Sequence, residues 1–508
     1  MKLRKLLKLM GRIFIKIFAI LIFIPVLLYS QDTTRPANKR YSFNTISELR
    51  EQLNDIFNDP NFSNAEWGVM IQSLQTGEYF YKRNEDKLLI PASDLKLFTT
   101  SAGLILLGSD YRFSTNLFLR GEPNGSIWNG DLIVQGRGDP TISGRFYNDN
   151  MYKIFEDWAD SLLDLGIDEI NGNIIGDDDA FDDVGLGSGW SWDYESDWFA
   201  AQSSAVSFND NCIEVIVYVD KKLKLPIIKI EPNTKYAAII NNVIPVSKDS
   251  STNIEVYRER GTNLVTVYGT ICENDSITTF VTVNNPTQYS MVILKKILES
   301  KGIKIDGFAT DVDDLSKPIQ YLKLTRLCTT YSPVLKEIIK VINKESQNFF
   351  AEQLLKTIGL EKMGFGSVAN GVKAESQAFK EMGINPESMI ISDGSGLSRL
   401  NMITAKQVVS LLSYIYKSKY FIPFYNSLPI AGIDGTLGNR MQNTLAQDKV
   451  RAKTGYLDGV RSLSGYAYTG DNEPVAFSII VNNFNVPVKL AENIQDLVCL
   501  RLANFKRK

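Results

Sequence analysis

Pro91-Ala92-Ser93-Asp94-Leu95-Lys96 opens a run that stays mostly apolar through Leu106 and Leu107 and stops at Gly108. Ser93 and Lys96 are three residues apart, so on a helix they are neighbours on one face. The proline ahead of them sits where a helix start tolerates it. A mostly apolar helix belongs in a core, and a lysine at the start of such a helix needs a reason. The stretch reads as a serine nucleophile beside its lysine base.

The rest of the composition sharpens that reading. The 508-residue chain contains no histidine, which removes any Ser-His-Asp triad, any Cys-His dyad and every His-ligated zinc site. Nucleophilic catalysis would therefore draw its base from Lys, Asp, Glu or Tyr. Hydrophobic residues make up 44% and charged residues 22%, with a net charge of -3, as in ordinary globular protein. Lys and Arg are scattered, so no nucleic-acid partner is expected. The four cysteines, Cys212, Cys272, Cys328 and Cys499, lie far apart without a C-x-x-C and do not form a metal cage. A Cys212–Cys272 bridge and buried free thiols both stand as readings.

Two further motifs follow in order. Ser346-Gln347-Asn348 is an S-x-N, and Lys453-Thr454-Gly455 is a K-T-G. S-x-x-K alone occurs by chance, and the ordered set is the signature of penicillin-recognising serine enzymes. Each part has a physical task. A serine hydroxyl is a poor nucleophile until a base takes its proton. Lys96 can do so only when neutral, and burial together with a nearby cation, Lys453, lowers a lysine pKa. Ser346 and Asn348 can link the lysine to the leaving group and orient a substrate amide. Lys453 and Thr454 offer a charge and a hydroxyl to a carboxylate. Gly455 lets an extended substrate lie close to its strand, and backbone N–H groups of Ser93 and Tyr456 would hold the oxyanion.

Along the chain, Lys2, Arg4, Lys5, Lys8 and Arg12 precede an apolar run from Ile13 to Leu28 interrupted by Lys16. This reads as a secretory signal over residues 1–30, with an uncleaved anchor as the rival. The body is expected outside the cytoplasm, in the periplasm or cell envelope, with peripheral membrane association. Thr45-x-x-Glu48 fits a capping box ahead of a helix with Ile46, Leu49, Leu53, Ile56 and Phe57 inward. Trp67–Ile71 and Tyr79–Tyr81 read as strands. Residues 113–143 read as short strands and turns, and 150–165 as a helix with Ile154, Phe155, Trp158, Leu162 and Leu163 inward. Residues 168–208 are loop-rich. Cys212 to Val283 alternates or is β-branched throughout, which marks an all-β module, and 287–301 returns to helix. Ser332-Pro333 reads as N-cap and N1 of a helix. Helices continue to about 384 and over 404–417. Strands follow at 449–453, 463–468 and 475–481, and a last helix over 487–506 carries Leu490, Ile494, Leu497 and Leu500 on one side. The two early strands and three late ones are expected to complete one sheet. The acidic run Asp177, Asp178, Asp179, Asp182 and Asp183 lacks the glycine and final glutamate of an EF-hand loop and is read as turns. Trp190, Trp192 and Trp198 are assigned to packing, with sugar stacking as the alternative.

On these motifs the chain resembles the peptidase S13 family, the low-molecular-mass penicillin-binding proteins of the D-alanyl-D-alanine carboxypeptidase/endopeptidase kind. Gly138-Asp139-Pro140-Thr141, Gly189-Trp190-x-Trp192-Asp193, Phe208-Asn209-Asp210-Asn211, Asp393-Gly394-Ser395-Gly396-Leu397-Ser398-Arg399 and Leu428 to Thr436 resemble further family blocks. The resemblance implies an α+β, β-lactamase-like domain, an antiparallel sheet flanked by helices, over 36–110 and 310–508. Two nested inserted domains would fill the gap, one mixed (111–208 and 284–309) and an inner all-β one (209–283). It implies a serine-type D-Ala-D-Ala carboxypeptidase or endopeptidase acting on peptidoglycan stem peptides through an acyl-enzyme on Ser93. Lys96 and Ser346 would be catalytic, and Asn348, Lys453, Thr454, Gly455 and Tyr456 would bind substrate. β-Lactams would act as acylating inhibitors, and no cofactor or metal is implied. A β-lactamase or esterase on the same core, and a non-catalytic wall-binding protein, remain the alternatives. Tyr456 stands where the family usually has Ser or Thr, Gln347 where it has Asp, and Arg137 where it tends to have Gly.

Overall fold

A computed structural model describes residues 45–507. The basic and apolar leader segment lies outside the described residues. Helix α1 (Ile46–Phe57) starts at the expected capping box, with the Thr45 hydroxyl accepting from the Glu48 N–H. Leu49, Leu53 and Phe57 are its buried stripe. Strands β1 (Glu66–Ser73) and β2 (Tyr79–Arg83) follow, then a 3₁₀ turn over Ala92–Leu95 that runs into α2 (Lys96–Leu106). Next come β3 (Ser114–Asn124), β4 (Ile127–Gln135), α3 (Lys153–Asp164), β5 (Glu169–Ile170) and β6 (Ile174–Asp177). Six strands form the β-rich region: β7 (Cys212–Val219), β8 (Pro226–Glu231), β9 (Ala238–Val246), β10 (Asn253–Arg258), β11 (Leu264–Cys272) and β12 (Ser276–Thr282). After α4 (Pro286–Ser300), β13 (Lys304–Ile305), β14 (Ala309–Asp311) and β15 (Thr325–Tyr331) come five helices' worth of chain: α5 (Leu335–Lys344), α6 (Asn348–Met363), α7 (Val368–Glu381), α8 (Ala405–Lys417) and α9 (Phe421–Ser427). Strands β16 (Val450–Leu457), β17 (Val460–Tyr468) and β18 (Pro474–Asn482) and helix α10 (Val488–Asn504) end the described chain.

The two early and three late strands do form one sheet, in the order β16-β17-β18-β1-β2. β1 and β18 pair antiparallel from Glu66 opposite Asn482 to Ser73 opposite Val475. Strand alternation divides the sheet's side chains between two cores. Ala476 and Ile480 face a core made with α2, α5, α6 and α8. Phe477, Ile479 and Val481 face the opposite core with α1 and α10. A sheet covered by helices on both faces is almost wholly buried, which is why β18 reads as an apolar run rather than an alternating one, while β17 buries Arg461, Ser462 and Ser464 among its apolar residues.

Between β2 and β16 the chain builds a seven-stranded mixed sheet, in which β15 returns to pair with β3. It also builds two three-stranded sheets, β10-β11-β9 and β12-β7-β8. Four local readings need correction. Residues 114–135 form one long hairpin rather than short strands. Leu163 of α3 is exposed. α5 begins at Leu335 with Val334 as N-cap, because the Ser332 hydroxyl is used elsewhere, accepting from the Phe113 N–H at 2.9 Å and donating to the Pro333 carbonyl at 2.7 Å. In α10, Leu490 and Leu497 are exposed, and the buried stripe is Ala491, Ile494, Val498, Cys499 and Leu502. All four cysteines are free, with Cys212, Cys272 and Cys499 buried. Cys212 and Cys272 belong to different sheets. The acidic run shapes turns: Asp178 accepts from Ser204 and Thr287 hydroxyls at 2.9 and 2.5 Å, and Asp182 pairs with the buried Lys356 at 2.7 Å.

Candidate active site

The three motifs converge. Ser93 sits in the 3₁₀ turn and Lys96 is the first residue of α2. Ser346 and Asn348 flank the start of α6, and Lys453 to Gly455 lie on β16. β16 is an edge strand; residues 429–431 bridge its outer side as far as Ala452, and the outer side from Lys453 onward is left for pairing with an extended peptide. Ser93, Ser346, Asn348, Thr454 and Tyr456 line one cleft of about 500 Å³ with Tyr194, Trp198, Leu397 and Thr436. The closeness of β16 to the nucleophile turn depends on Gly455. A methyl group there would meet the Ser462 hydroxyl at 2.1 Å and the Pro91 carbonyl at 2.8 Å.

Lys96 is fully buried. Its Nζ lies 3.0 Å from Ser93 Oγ, 2.5 Å from Asn348 Oδ1 and 2.6 Å from the Ser395 carbonyl. A neutral amine has two N–H bonds and one lone pair. Asn348 and Ser395 take the two donors, which leaves the lone pair directed at the Ser93 hydroxyl. The electrostatics favour that neutral form. Burial pushes the Lys96 pKa well below its usual value, and the Lys453 cation pushes it further the same way. Asp393, Glu352 and Asp94 oppose this more weakly.

Lys453 is also fully buried and donates to Ser346 Oγ at 2.8 Å and to the Thr454 carbonyl at 2.7 Å. Burial lowers its pKa, and the Asp94 carboxylate opposes that shift. Burial raises the Asp94 pKa above the usual carboxylate range, although Ser464 donates to it at 2.5 Å. Ser346 therefore belongs to the Lys453 side of the site and Asn348 to the Lys96 side. Ser346 occupies the left-handed region at φ 60, a conformation that costs free energy in a non-glycine residue and turns the chain sharply into α6. Asn348 Nδ2 also donates to the Phe199 carbonyl at 2.7 Å.

The Asp393–Arg399 segment is a shaped loop, as its sequence suggests. Asp393 accepts from the Gly396 and Ser398 N–H groups at 2.8 and 2.6 Å and from Trp190 Nε1 at 2.9 Å. This presents the Ser395 carbonyl to Lys96. Glu352 braces the loop from α6, accepting from the Gly394 and Ser395 N–H groups at 3.0 and 2.8 Å. Thr454 Oγ1 donates to Thr436 Oγ1 at 2.7 Å. Tyr456 is exposed, with its hydroxyl 3.0 Å from Asp458 Oδ1 and the Arg461 guanidinium 3.6 Å from its ring centroid.

All eight sequence-derived residues thus meet in one place. Sequence reasoning missed Asp94, Glu352 and Thr436. Glu352 carried a legible signal, since it is four residues after Asn348 on one helix face. Only Trp190 of the three tryptophans is held by packing, because Trp192 is 65% and Trp198 42% exposed.

The model of the D-Ala-D-Ala carboxypeptidase 3 (S13) family matches residues 49–504. A D-alanyl-D-alanine carboxypeptidase from Actinomadura sp. is 32% identical over 499 residues, which cover 96% of this chain and 90% of the relative. The crystal structure of penicillin binding protein 4 from Haemophilus influenzae superposes with a TM-score of 0.76 at 25% identity, covering 87% of this chain and 97% of that one. The same protein complexed with a β-lactam gives a TM-score of 0.72 at 24% identity, over the same shares of the two chains.

Proposed function

This chain belongs to the D-Ala-D-Ala carboxypeptidase 3 (S13) family, and we propose that it is an exported serine peptidase that trims or opens peptidoglycan stem peptides. It is a hydrolase with the penicillin-recognising fold. In the proposed reaction, Ser93 Oγ attacks the carbonyl carbon between two D-alanines while the Lys96 lone pair takes the hydroxyl proton. The carbonyl oxygen gathers charge between the backbone N–H groups of Ser93 and Tyr456. Lys96 then returns the proton towards the departing amine, which the Ser346 hydroxyl, held by Lys453 at 2.8 Å, helps to protonate as the C–N bond breaks. Asn348 orients the acyl-side amide. Lys453 and the Thr454 hydroxyl hold the leaving group's carboxylate. Water resolves the ester by the reverse proton path. β-Lactams present the same amide and acylate Ser93.

The observation that carries this reading is the Lys96 Nζ, fully buried and 3.0 Å from Ser93 Oγ, with its two other close partners both acceptors. The basic, apolar N-terminal run supports export to the periplasm or cell envelope, with peripheral membrane association there. Incubation with a defined stem pentapeptide tests the assignment. Release of one D-alanine per peptide is expected, and Ser93→Ala is expected to release none. Rapid turnover of a β-lactam without D-alanine release would favour the β-lactamase alternative.

A further inference from the structure

Beside the catalytic cleft lies a second groove of about 500 Å³. Trp198 lines both. The S-x-N segment divides them, with Ser346 and Asn348 facing the cleft and Gln347 facing the groove. The far wall comes from the β-rich region. Glu214 of β7 and Phe280 of β12 are direct cross-strand partners, so their side chains stand together on one face of that sheet. The strands inserted far from the catalytic motifs in sequence thereby reach the neighbourhood of the nucleophile.

The lining has two properties. It presents aromatic surface to solvent, since Phe280 is 45% and Trp198 42% exposed, and Met151 adds a thioether. Its charge is negative. The single cation, Arg145, is committed: it pairs with Asp210 at 2.7 Å and with Glu345. Gln347 donates to the same Asp210 carboxylate at 3.1 Å, which ties the groove to the S-x-N segment. Asp149 and Glu214 have no hydrogen-bond or ion-pair partner for their carboxylates among the described residues.

We propose that this groove binds the neutral N-acetylated amino-sugar backbone of the wall polymer next to the stem peptide being cut. The proposal rests on the peptidoglycan reading above. Stem peptides carry free carboxylates, which the uncompensated Asp149 and Glu214 repel. Sugar hydroxyls and acetamide N–H groups are neutral donors that carboxylate acceptors satisfy, and the C–H faces of a pyranose ring pack on exposed aromatic rings. The sugar is attached to the peptide, so its binding adds to that of the peptide in one molecule.

The test compares a disaccharide-pentapeptide with the same pentapeptide lacking sugar. The wild-type enzyme is expected to favour the former in kcat/KM by about tenfold, the ratio that one modest additional contact supplies. Phe280→Ala and Glu214→Gln are expected to bring the ratio towards one while leaving the rate on the free pentapeptide and on penicillin unchanged. A wild-type ratio near one, or a ratio kept in both variants, overturns the proposal. So does a preference for a sugar-free cross-linked peptide that Phe280→Ala abolishes. Should neither substrate release D-alanine, the peptidase assignment fails, and the groove is then decided by titrating the wild-type protein with an N-acetylglucosamine trimer. Perturbed tryptophan fluorescence that Phe280→Ala removes supports the groove, and no response at millimolar sugar refutes it.

Discussion

Lys96 has room for only one protonation state that performs the chemistry. Its two good acceptors and one hydroxyl neighbour match a neutral amine, and a protonated amine would lose its lone pair to the third proton. Lys453 helps keep it neutral by repulsion. Lys453→Ala removes that repulsion, so the Lys96 pKa rises and the acid limb of the kcat/KM profile for penicillin acylation moves to higher pH. Lys453→Arg retains the cation and is expected to leave the limb in place. An unmoved limb in both variants would show that burial alone sets the base. A second residue tests the electrostatics away from the chemistry. Glu375 on α7 is fully buried, neither carboxylate oxygen has a hydrogen-bond partner, and its pKa rises from 4.5 to about 8. The unfolded chain ionises this group from about pH 4.5, whereas the folded chain keeps its proton until about pH 8. Folding stability therefore falls as pH rises across that window and levels off above it. Glu375→Gln removes this loss, and its gain over wild type should grow between those pH values by on the order of 2–4 kcal/mol. Parallel stability–pH curves in urea titrations would refute the assignment.

Elements hold these residues at fixed separations. The Asp393–Arg399 loop packs on the nucleophile turn through Gly396, which has φ +84 and leaves no space for a side chain. A methyl group there would lie 1.9 Å from the Ala92 carbonyl oxygen. Gly396→Ala must therefore displace the turn that carries Ser93. Its expected cost is about 2–4 kcal/mol in unfolding free energy, with a far larger loss in penicillin acylation rate than in folded fraction. Wild-type acylation by this variant would mean that the turn tolerates displacement. The sequence disclosed the elements unevenly for physical reasons. Capping chemistry placed α1 because Thr45 and Glu48 satisfy each other locally. The inward face of α10 was misread because the packed stripe uses Ala491 and Cys499, small residues that fit close to the sheet, while the larger Leu490 and Leu497 stay exposed. α5 starts later than its Ser-Pro signal because Ser332 is committed to a distant backbone N–H. Strands β8 and β9 gave weak signals, since β8 is only partly buried and β9 is mostly exposed, so neither shows a clean inside–outside alternation.

Across the whole molecule, the site is assembled from both ends of the described chain. Nearly half the sequence lies between Ser93 and Ser346, yet Asn348 meets Lys96 at 2.5 Å. Each end contributes strands to one sheet, and the β1–β18 pairing fixes the nucleophile turn against β16. The catalytic residues were legible because their spacing and order are set by chemistry that tolerates few alternatives. The second groove was not, because Trp198, Phe280, Arg145 and Gln347 come from four separated segments and meet only in the folded chain. Brief exposure to penicillin followed by intact-mass measurement and peptide mapping tests the central claim most directly. One acyl group per chain is expected, on the peptide containing Ser93, with no adduct in Lys96→Ala. An adduct on any other residue, or equal labelling of the Lys96→Ala chain, would contradict it.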